Sequence, residues 1–189
     1  DSQISELQRK QAEFTAITEN MSEGFLVIDE HTDLLSYNTS ALRLLGAEAD
    51  GGKRSVLALN RSEGFRNAVE RSLSGAHSEE IFEREGRYFQ IMANPVSREG
   101  RVAGAVLIIL DITEKHAQEN MRREFTANVS HELKTPLTSI SGTAEIIKNG
   151  FVKPEDIPHF AGNIYEEAQR LIALIGDIMR LSQLDEDSL

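Results

Sequence analysis

The sequence predicts an α+β unit with an antiparallel five-stranded sheet, followed by a hairpin of two long helices. Between residues 24 and 111 the order is two strands, two helices and three strands, which is typical of α+β architecture. After Asp111 the pattern is helical, with no glycine or proline before Pro136. The 189 residues, 40% of them hydrophobic, are sufficient for one or two small domains.

A short heptad-like pattern precedes the sheet and predicts a helix over residues 1–20. The pattern fits a coiled-coil lead-in and an ordinary amphipathic helix equally well, because so short a run does not distinguish them. Its positions are Ile4, Leu7, Gln11, Phe14, Ile17 or Thr18, and Met21.

Five short apolar segments predict the strands of the sheet. The first two, over 24–30 and 33–38, are joined by a turn at Glu30 to Asp33. Two Arg-Glu-Gly sequences, at 84–86 and 98–100, mark the turns of the later hairpins. The last three strands are predicted over 77–84, 87–95 and 102–111.

Two short helices are predicted between the second and third strands. Asn38 is the expected N-cap of the first, because its side chain can accept a hydrogen bond from an unpaired backbone N–H. Gly46 is the expected C-cap, because glycine tolerates the left-handed backbone there. The second helix is predicted over 63–73 and stops at Gly75.

A single long helix is predicted after the last strand, with Asp111 or Thr113 as its N-cap. It ends at the pair Asn149-Gly150, and a second helix begins at Asp156. The short loop between them favours an antiparallel hairpin. Each helix has an apolar face too wide for the other to cover, which favours a symmetric dimer with a four-helix bundle.

The helical period places His131 on the outward side of the first long helix. At about 100° per residue, the apolar residues of this stretch share a sector of roughly 120°, and His131 lies nearly opposite its centre. An exposed neutral imidazole is a competent nucleophile, and adjacent Glu132 can take its proton. Thr135, one turn on, can hydrogen-bond a water or phosphoryl oxygen. The apolar sector consists of Phe125, Val129, Leu133, Leu137, Ile140, Ala144 and Ile147.

The stretch FTANVSHELKTPLTSI, residues 125–140, resembles the H-box of bacterial sensor histidine kinases of the commonest dimerisation-and-phosphoacceptor type. The resemblance implies that His131 is phosphorylated from ATP and passes the phosphoryl group to an aspartate of a response regulator. It also implies that Glu132 is the acid/base residue and that Thr135 orients water when the protein dephosphorylates its regulator. Pro136 matches the proline that bends this helix. The stretch RLIALIGDIMRLSQLD resembles the second bundle helix of the same family.

Residues 21–113 resemble a PAS sensor domain in length and element order. Asp-Ile-Thr at 111–113 matches the motif that ends such domains, and the resemblance implies that Asp111 and Thr113 transmit the signal into the following helix. With a lead-in helix over 1–20 and a dimerisation and phosphoacceptor domain over 114–185, the predicted units cover nearly the whole chain.

The sequence predicts no cofactor or metal site of the chain's own. It has no cysteine, which excludes disulfides, thiolate metal sites and a cysteinyl flavin adduct. It also lacks the asparagine box and the Asp-x-Gly-x-Gly pattern of the family's ATP-binding domain. The resemblance therefore implies that ATP and magnesium act only through a separate domain, and that this chain is a fragment; the PAS ligand is left open. The histidines without metal-ligand spacing are His31, His77, His116 and His159.

Composition also restricts the partners. The net charge of -11 argues against nucleic acid, and no apolar run approaches the roughly 20 residues of a membrane span. The resemblance implies the soluble, cytoplasmic portion of a membrane sensor that is a protein-histidine kinase at full length. Its expected partners are a second copy, a response regulator and its own ATP-binding domain. The alternative is a non-catalytic phosphorelay or dimeric ligand-binding adaptor, against which the intact Glu132 and Thr135 argue.

Overall fold

A computed structural model of the chain describes residues 2–48 and 55–186. Side chains are described over 5–48, apart from Leu7, and over 55–184, so the heptad positions Ile4 and Leu7 lie outside the described side chains. The chain divides into two compact units with the boundary between Ala117 and Gln118, and each is described separately.

The first unit contains the five-stranded antiparallel sheet that the sequence predicts, with the strand order β2-β1-β5-β4-β3. The last strand therefore lies in the middle of the sheet, between the first and the fourth. This order places Asp111, at the end of the last strand, opposite Phe89 of the fourth. The strands are β1 (Gly24–Asp29), β2 (Leu34–Tyr37), β3 (Ser78–Arg84), β4 (Arg87–Arg98) and β5 (Arg101–Asp111).

Three helices accompany the sheet: α1 (Ser2–Glu19), α2 (Thr39–Leu45) and α3 (Glu63–Leu73). Both predicted caps of α2 are present. The Asn38 side chain accepts a hydrogen bond from the backbone N–H of Ala41, and Gly46 adopts φ +67°. A 3₁₀ turn at Val56–Ala58 was not predicted, because three residues carry no periodicity.

The hydrophobic core lies between the sheet and helices α2 and α3. Phe65 of α3 makes an edge contact with Phe82 of β3, which stacks on Phe89 of β4. Each large side chain buried in this way contributes about 1.5–3 kcal/mol of hydrophobic stabilisation. The core fixes the strand register and so the position of the residues at the end of β5. Its largest fully buried apolar members are Phe65, Phe89, Leu26, Ile28, Ile91, Leu107, Ile109, Val56 and Val69.

Two long helices follow, α4 (Thr113–Lys148) and α5 (Ile157–Glu186), and a 3₁₀ turn at Pro154–Asp156 lies in the loop between them. Helix α4 begins in the first unit and continues through the second. It ends as predicted, with Gly150 at φ +73°. Many large apolar side chains on both helices are exposed, including Met121, Phe125, Leu137, Tyr165, Ile172, Ile175, Met179, Leu181 and Leu184.

Candidate functional site

His131 lies on α4 with its side chain exposed to solvent, as the helical period predicts. Glu132 and Thr135 are exposed as well. The Thr135 hydroxyl donates a hydrogen bond to the backbone carbonyl oxygen of His131 at 3.3 Å, so it lies directly beside the histidine's turn. The side chains of His131 and Glu132, which are both described, form no hydrogen bond with each other. This is expected, because adjacent positions on a helix do not face each other.

Pro136 lies inside α4 and is buried. Because proline has no backbone N–H, the carbonyl oxygen of Glu132, four residues earlier, lacks its usual helical partner. The helix nevertheless continues on both sides of Pro136. The proline therefore weakens the backbone at the residue next to His131.

Four hydroxyls around His131 donate to the carbonyl oxygen four residues earlier in α4. Such bonds compete with the helical N–H for its acceptor and often bend the helix. Together with Pro136 they make residues 126–138 a segment in which bending costs little. Only Pro136 was recognisable as a bend from the sequence. The hydroxyl bonds run from Thr126 to Arg122, Ser130 to Thr126, Thr135 to His131, and Thr138 to Lys134.

The predicted signalling residues Asp111 and Thr113 are joined at the start of α4. One carboxylate oxygen of Asp111 accepts hydrogen bonds from the Thr113 hydroxyl, at 2.6 Å, and from the Thr113 backbone N–H, at 3.0 Å. The other pairs with the Arg87 guanidinium. The Thr113 hydroxyl and then Arg87 hold the pKa of Asp111 below its ordinary value, so the carboxylate stays charged near neutral pH.

Arg87 and Tyr88 of β4, which the sequence analysis did not identify, hold the first residues of α4 in place. The backbone N–H of Tyr88 donates a hydrogen bond to the Thr113 hydroxyl at 3.0 Å, and the Tyr88 carbonyl oxygen accepts one from the backbone N–H of Ile112 at 2.9 Å. The Tyr88 ring stacks on His116, with 3.9 Å between ring centroids. Arg87 is visible in the sequence as the second arginine of Arg-Glu-Gly-Arg-Tyr. Only the register of β4 with β5, which pairs Phe89 with Asp111, brings its side chain within reach of the Asp111 carboxylate.

The described part of the chain contains neither a metal site nor a membrane-spanning helix. No group of three or more histidine, aspartate or glutamate residues there is arranged to hold a metal ion. Within the same residues, no helix is both long and apolar enough to cross a membrane.

Two family models match the sequence. The one described as PAS fold covers residues 18–117, and the one described as His Kinase A (phospho-acceptor) domain covers residues 121–187. The first therefore spans the sheet, and the second includes His131 and the whole of α5. The two matches leave only residues 118–120 between them, close to the structural boundary.

Curated relatives match over nearly the whole chain. The sequence is 31% identical over 177 residues to the sensor protein kinase WalK of Staphylococcus aureus, covering 92% of this chain and 43% of that relative. WalK of Staphylococcus aureus strain JH9 matches with the same identity, covering 29% of that relative. The chain thus spans less than half the length of these curated relatives.

Among solved structures, an RNA-binding Light-Oxygen-Voltage receptor resembles the chain with a TM-score of 0.50 at 18% identity. The likeness covers 62% of this chain and 37% of that receptor. At this identity the likeness concerns the fold alone.

Proposed function

Since this chain belongs to the PAS-fold family and carries a His Kinase A phospho-acceptor domain, we propose that it is the sensor and phosphoacceptor portion of a two-component histidine kinase. His131 accepts a phosphoryl group from ATP held by a separate ATP-binding domain and passes it to an aspartate of a response regulator. The full-length protein is a protein-histidine kinase in this proposal.

The observation that carries the proposal is the exposed His131 on a long helix, followed by the exposed Glu132 and by Thr135, whose hydroxyl donates to the His131 carbonyl oxygen. In the first step a His131 ring nitrogen attacks the γ-phosphorus of ATP, and the bond from phosphorus to the ADP oxygen breaks. The proton from the other ring nitrogen leaves to a base. In the second step a regulator carboxylate attacks phosphorus and the nitrogen–phosphorus bond breaks, while the other ring nitrogen takes back a proton so that a neutral imidazole leaves.

Glu132 is the proposed base for that proton. Its carboxylate is exposed and adjacent in sequence, and the flexible side chain can rotate towards the imidazole. Because Pro136 leaves the Glu132 carbonyl without its helical donor, the backbone there can adjust as the two side chains approach. Thr135 is proposed to orient the water that hydrolyses the regulator's aspartyl phosphate.

Relay of the phosphoryl group tests the proposal. The chain is incubated with radiolabelled ATP and the ATP-binding domain of a sensor kinase of this family, and a regulator receiver domain is then added. We expect acid-labile label on the chain that moves to the receiver. His131→Gln should carry no label, whereas the matched control His159→Gln, an exposed histidine of α5, should behave as wild type. Undiminished labelling of His131→Gln would rule out the assignment.

We also propose that the chain acts as a homodimer through α4 and α5 and lies on the cytoplasmic side of a membrane sensor. The exposed apolar side chains of both helices support the dimer. The membrane location rests on the family resemblance alone. Fractionation of cells that express the full gene, with an antibody against residues 21–113, tests the location: the antigen should sediment with membranes and resist protease added outside the cell.

A further inference from the structure

A cleft of about 340 Å³ opens on the first unit beside the start of α4. Four separate parts of the chain form its walls: residues 22–23 after α1, residues 43–44 at the end of α2, the β3–β4 hairpin, and the end of β5. The segment that enters the sheet from α1 and the segment that leaves it for α4 therefore border the same cavity. Ligand pockets in proteins start at about this volume, so only a small molecule fits.

Three arginines line the cleft, and two of them have structural partners. Arg84 donates to the backbone carbonyl oxygens of Arg43 and Leu44 and so caps the end of α2; it also pairs with Glu85. Arg87 pairs with Asp111.

Arg43 uses few of its donors within the part of the chain that the structure describes. Among the described residues its guanidinium has one hydrogen bond, to the Ser22 carbonyl oxygen, and at 3.5 Å this bond is at the limit of a real interaction. A guanidinium has five N–H donors in a fixed plane, which suits a carboxylate taken in two parallel hydrogen bonds. The cleft therefore offers an anion a charged group that the fold itself hardly uses.

The rest of the lining restricts the anion. Glu23 and Asp111 face the same cavity, so a dianion such as phosphate would meet two like charges. Leu44, Phe89 and Leu110 add an apolar wall. We propose that this cleft binds a small monocarboxylate with a short apolar part, its carboxylate on Arg43 and Arg87 and its apolar part against Leu44 and Leu110.

Such a ligand would act on the start of α4. A carboxylate that reaches Arg87 competes with Asp111 for the same guanidinium, and the Arg87–Asp111 pair is one of the contacts that hold the first residues of α4. Binding therefore loosens the hold of β4 on this helix. The cleft links the chemistry of a ligand to the segment that the family resemblance assigns to signal transmission.

The test is a titration of the full 189-residue chain with benzoate, followed by ¹⁵N NMR of the arginine Nε–H groups. Benzoate should shift the Arg43 and Arg87 signals saturably, and neutral benzamide, of the same shape, should not. Shifts that grow linearly without saturation, or equal shifts with benzamide, would overturn the proposal.

Two variants and a control distinguish this site from general attraction to basic residues. Arg43→Gln should weaken benzoate binding about ten-fold or more, because it removes a charge-assisted pair. Arg66→Gln, an exposed arginine of α3, should leave the affinity unchanged. Glu23→Gln should tighten binding, because a like charge leaves the cleft, and a damaged fold would not produce that gain. Equal affinities in the Arg43 and Arg66 variants, or weaker binding by Glu23→Gln, would contradict the site.

Discussion

Thr135 is the residue whose proposed role differs most from that of His131. Positioned water matters for attack on an aspartyl phosphate, whereas attack by His131 on ATP uses no water. We therefore expect Thr135→Ala to slow dephosphorylation of the regulator by about 100-fold, the scale of the loss when a reacting group is misplaced, and to change phosphorylation of His131 much less. Both rates are measured with labelled regulator and labelled ATP.

The control for Thr135 is Thr138, whose hydroxyl also donates to the carbonyl four residues earlier. Thr138→Ala removes the same kind of backbone bond one turn further along α4 without touching the turn of His131. Two results would contradict the role of Thr135 in positioning water. One is that Thr138→Ala slows dephosphorylation as much as Thr135→Ala does; the other is that Thr135→Ala lowers dephosphorylation of the regulator and phosphorylation of His131 equally. Either would mean that the hydroxyl matters through the structure of the helix.

His77 gives a prediction about pH. Its Nδ1 lies 2.7 Å from the Asn94 side-chain oxygen and its Nε2 lies 3.2 Å from a Glu79 oxygen. The Asn94 hydrogen bond, and after it Glu79, raise the pKa of His77 above the ordinary 6.5. The protonated form is thus favoured in the folded protein, so this stabilisation is complete below pH 6.5 and is lost as pH rises through the raised pKa.

An NMR titration of His77 tests this prediction. In wild type the ring protons should titrate above pH 6.5, and in Asn94→Ala the midpoint should move down towards that value. Glu79→Gln should also move it down, because it removes the carboxylate charge beside Nε2. A midpoint that is the same in wild type and Asn94→Ala would contradict the role of the Asn94 bond.

Among the secondary-structure elements, the β4–β5 turn places Glu99 in a backbone conformation that is unfavourable for glutamate. Glu99 adopts φ +52° and Gly100 φ +74°, the backbone of a two-residue turn with both central residues left-handed. Left-handed backbone costs an L-residue other than asparagine or aspartate roughly 1 kcal/mol. Glu99→Asn should therefore raise the free energy of unfolding by about 0.5–1 kcal/mol, measured by urea denaturation.

Gly100→Ala is the matched control for that turn. No atom lies within 4 Å of the position that its Cβ would occupy, so any loss comes from the backbone and not from a clash. It should lower the free energy of unfolding. An unchanged or lower stability of Glu99→Asn would mean that the turn carries no relievable strain.

The elements were predictable where a local rule determines them. The caps at Asn38 and Gly46, the two Glu-Gly turns and the end of α4 at Gly150 follow from the conformational preferences of single residues. The exposure of His131 follows from the period of one helix. Arg87 and Tyr88 were not recognised, because their partners at the start of α4 lie 24 or more residues away and meet them only through the register of β4 with β5.

For the molecule as a whole, the exposed apolar side chains of α4 and α5 predict a dimer. Ile172 and Met179 are 62% and 61% exposed in the single chain. A standard interface of about 1,600 Å² at about 25 cal/mol per Å² gives tens of kcal/mol before the costs of association. Light scattering should give the mass of two chains at micromolar concentration.

Glutamate substitutions on α5 test whether the dimer forms through this apolar face or through non-specific association. Ile172→Glu combined with Met179→Glu should give a monomer, because burying these carboxylates against apolar neighbours is costly. Gln169→Glu, at an exposed polar position of α5, should leave the dimer intact. A wild-type chain that is monomeric at micromolar concentration, or a double variant that stays dimeric, would contradict the interface.

The central claim is that His131 is the phosphoacceptor, and direct localisation of the phosphoryl group tests it. The chain is phosphorylated as described above, kept at neutral to basic pH, digested and fragmented in a tandem mass spectrometer by electron transfer, which spares the nitrogen–phosphorus bond. We expect the mass of one phosphoryl group on His131 and on no other residue. A phosphoryl group on another histidine, or on a hydroxyl such as Ser130 or Thr135, with His131 unmodified, would contradict the account.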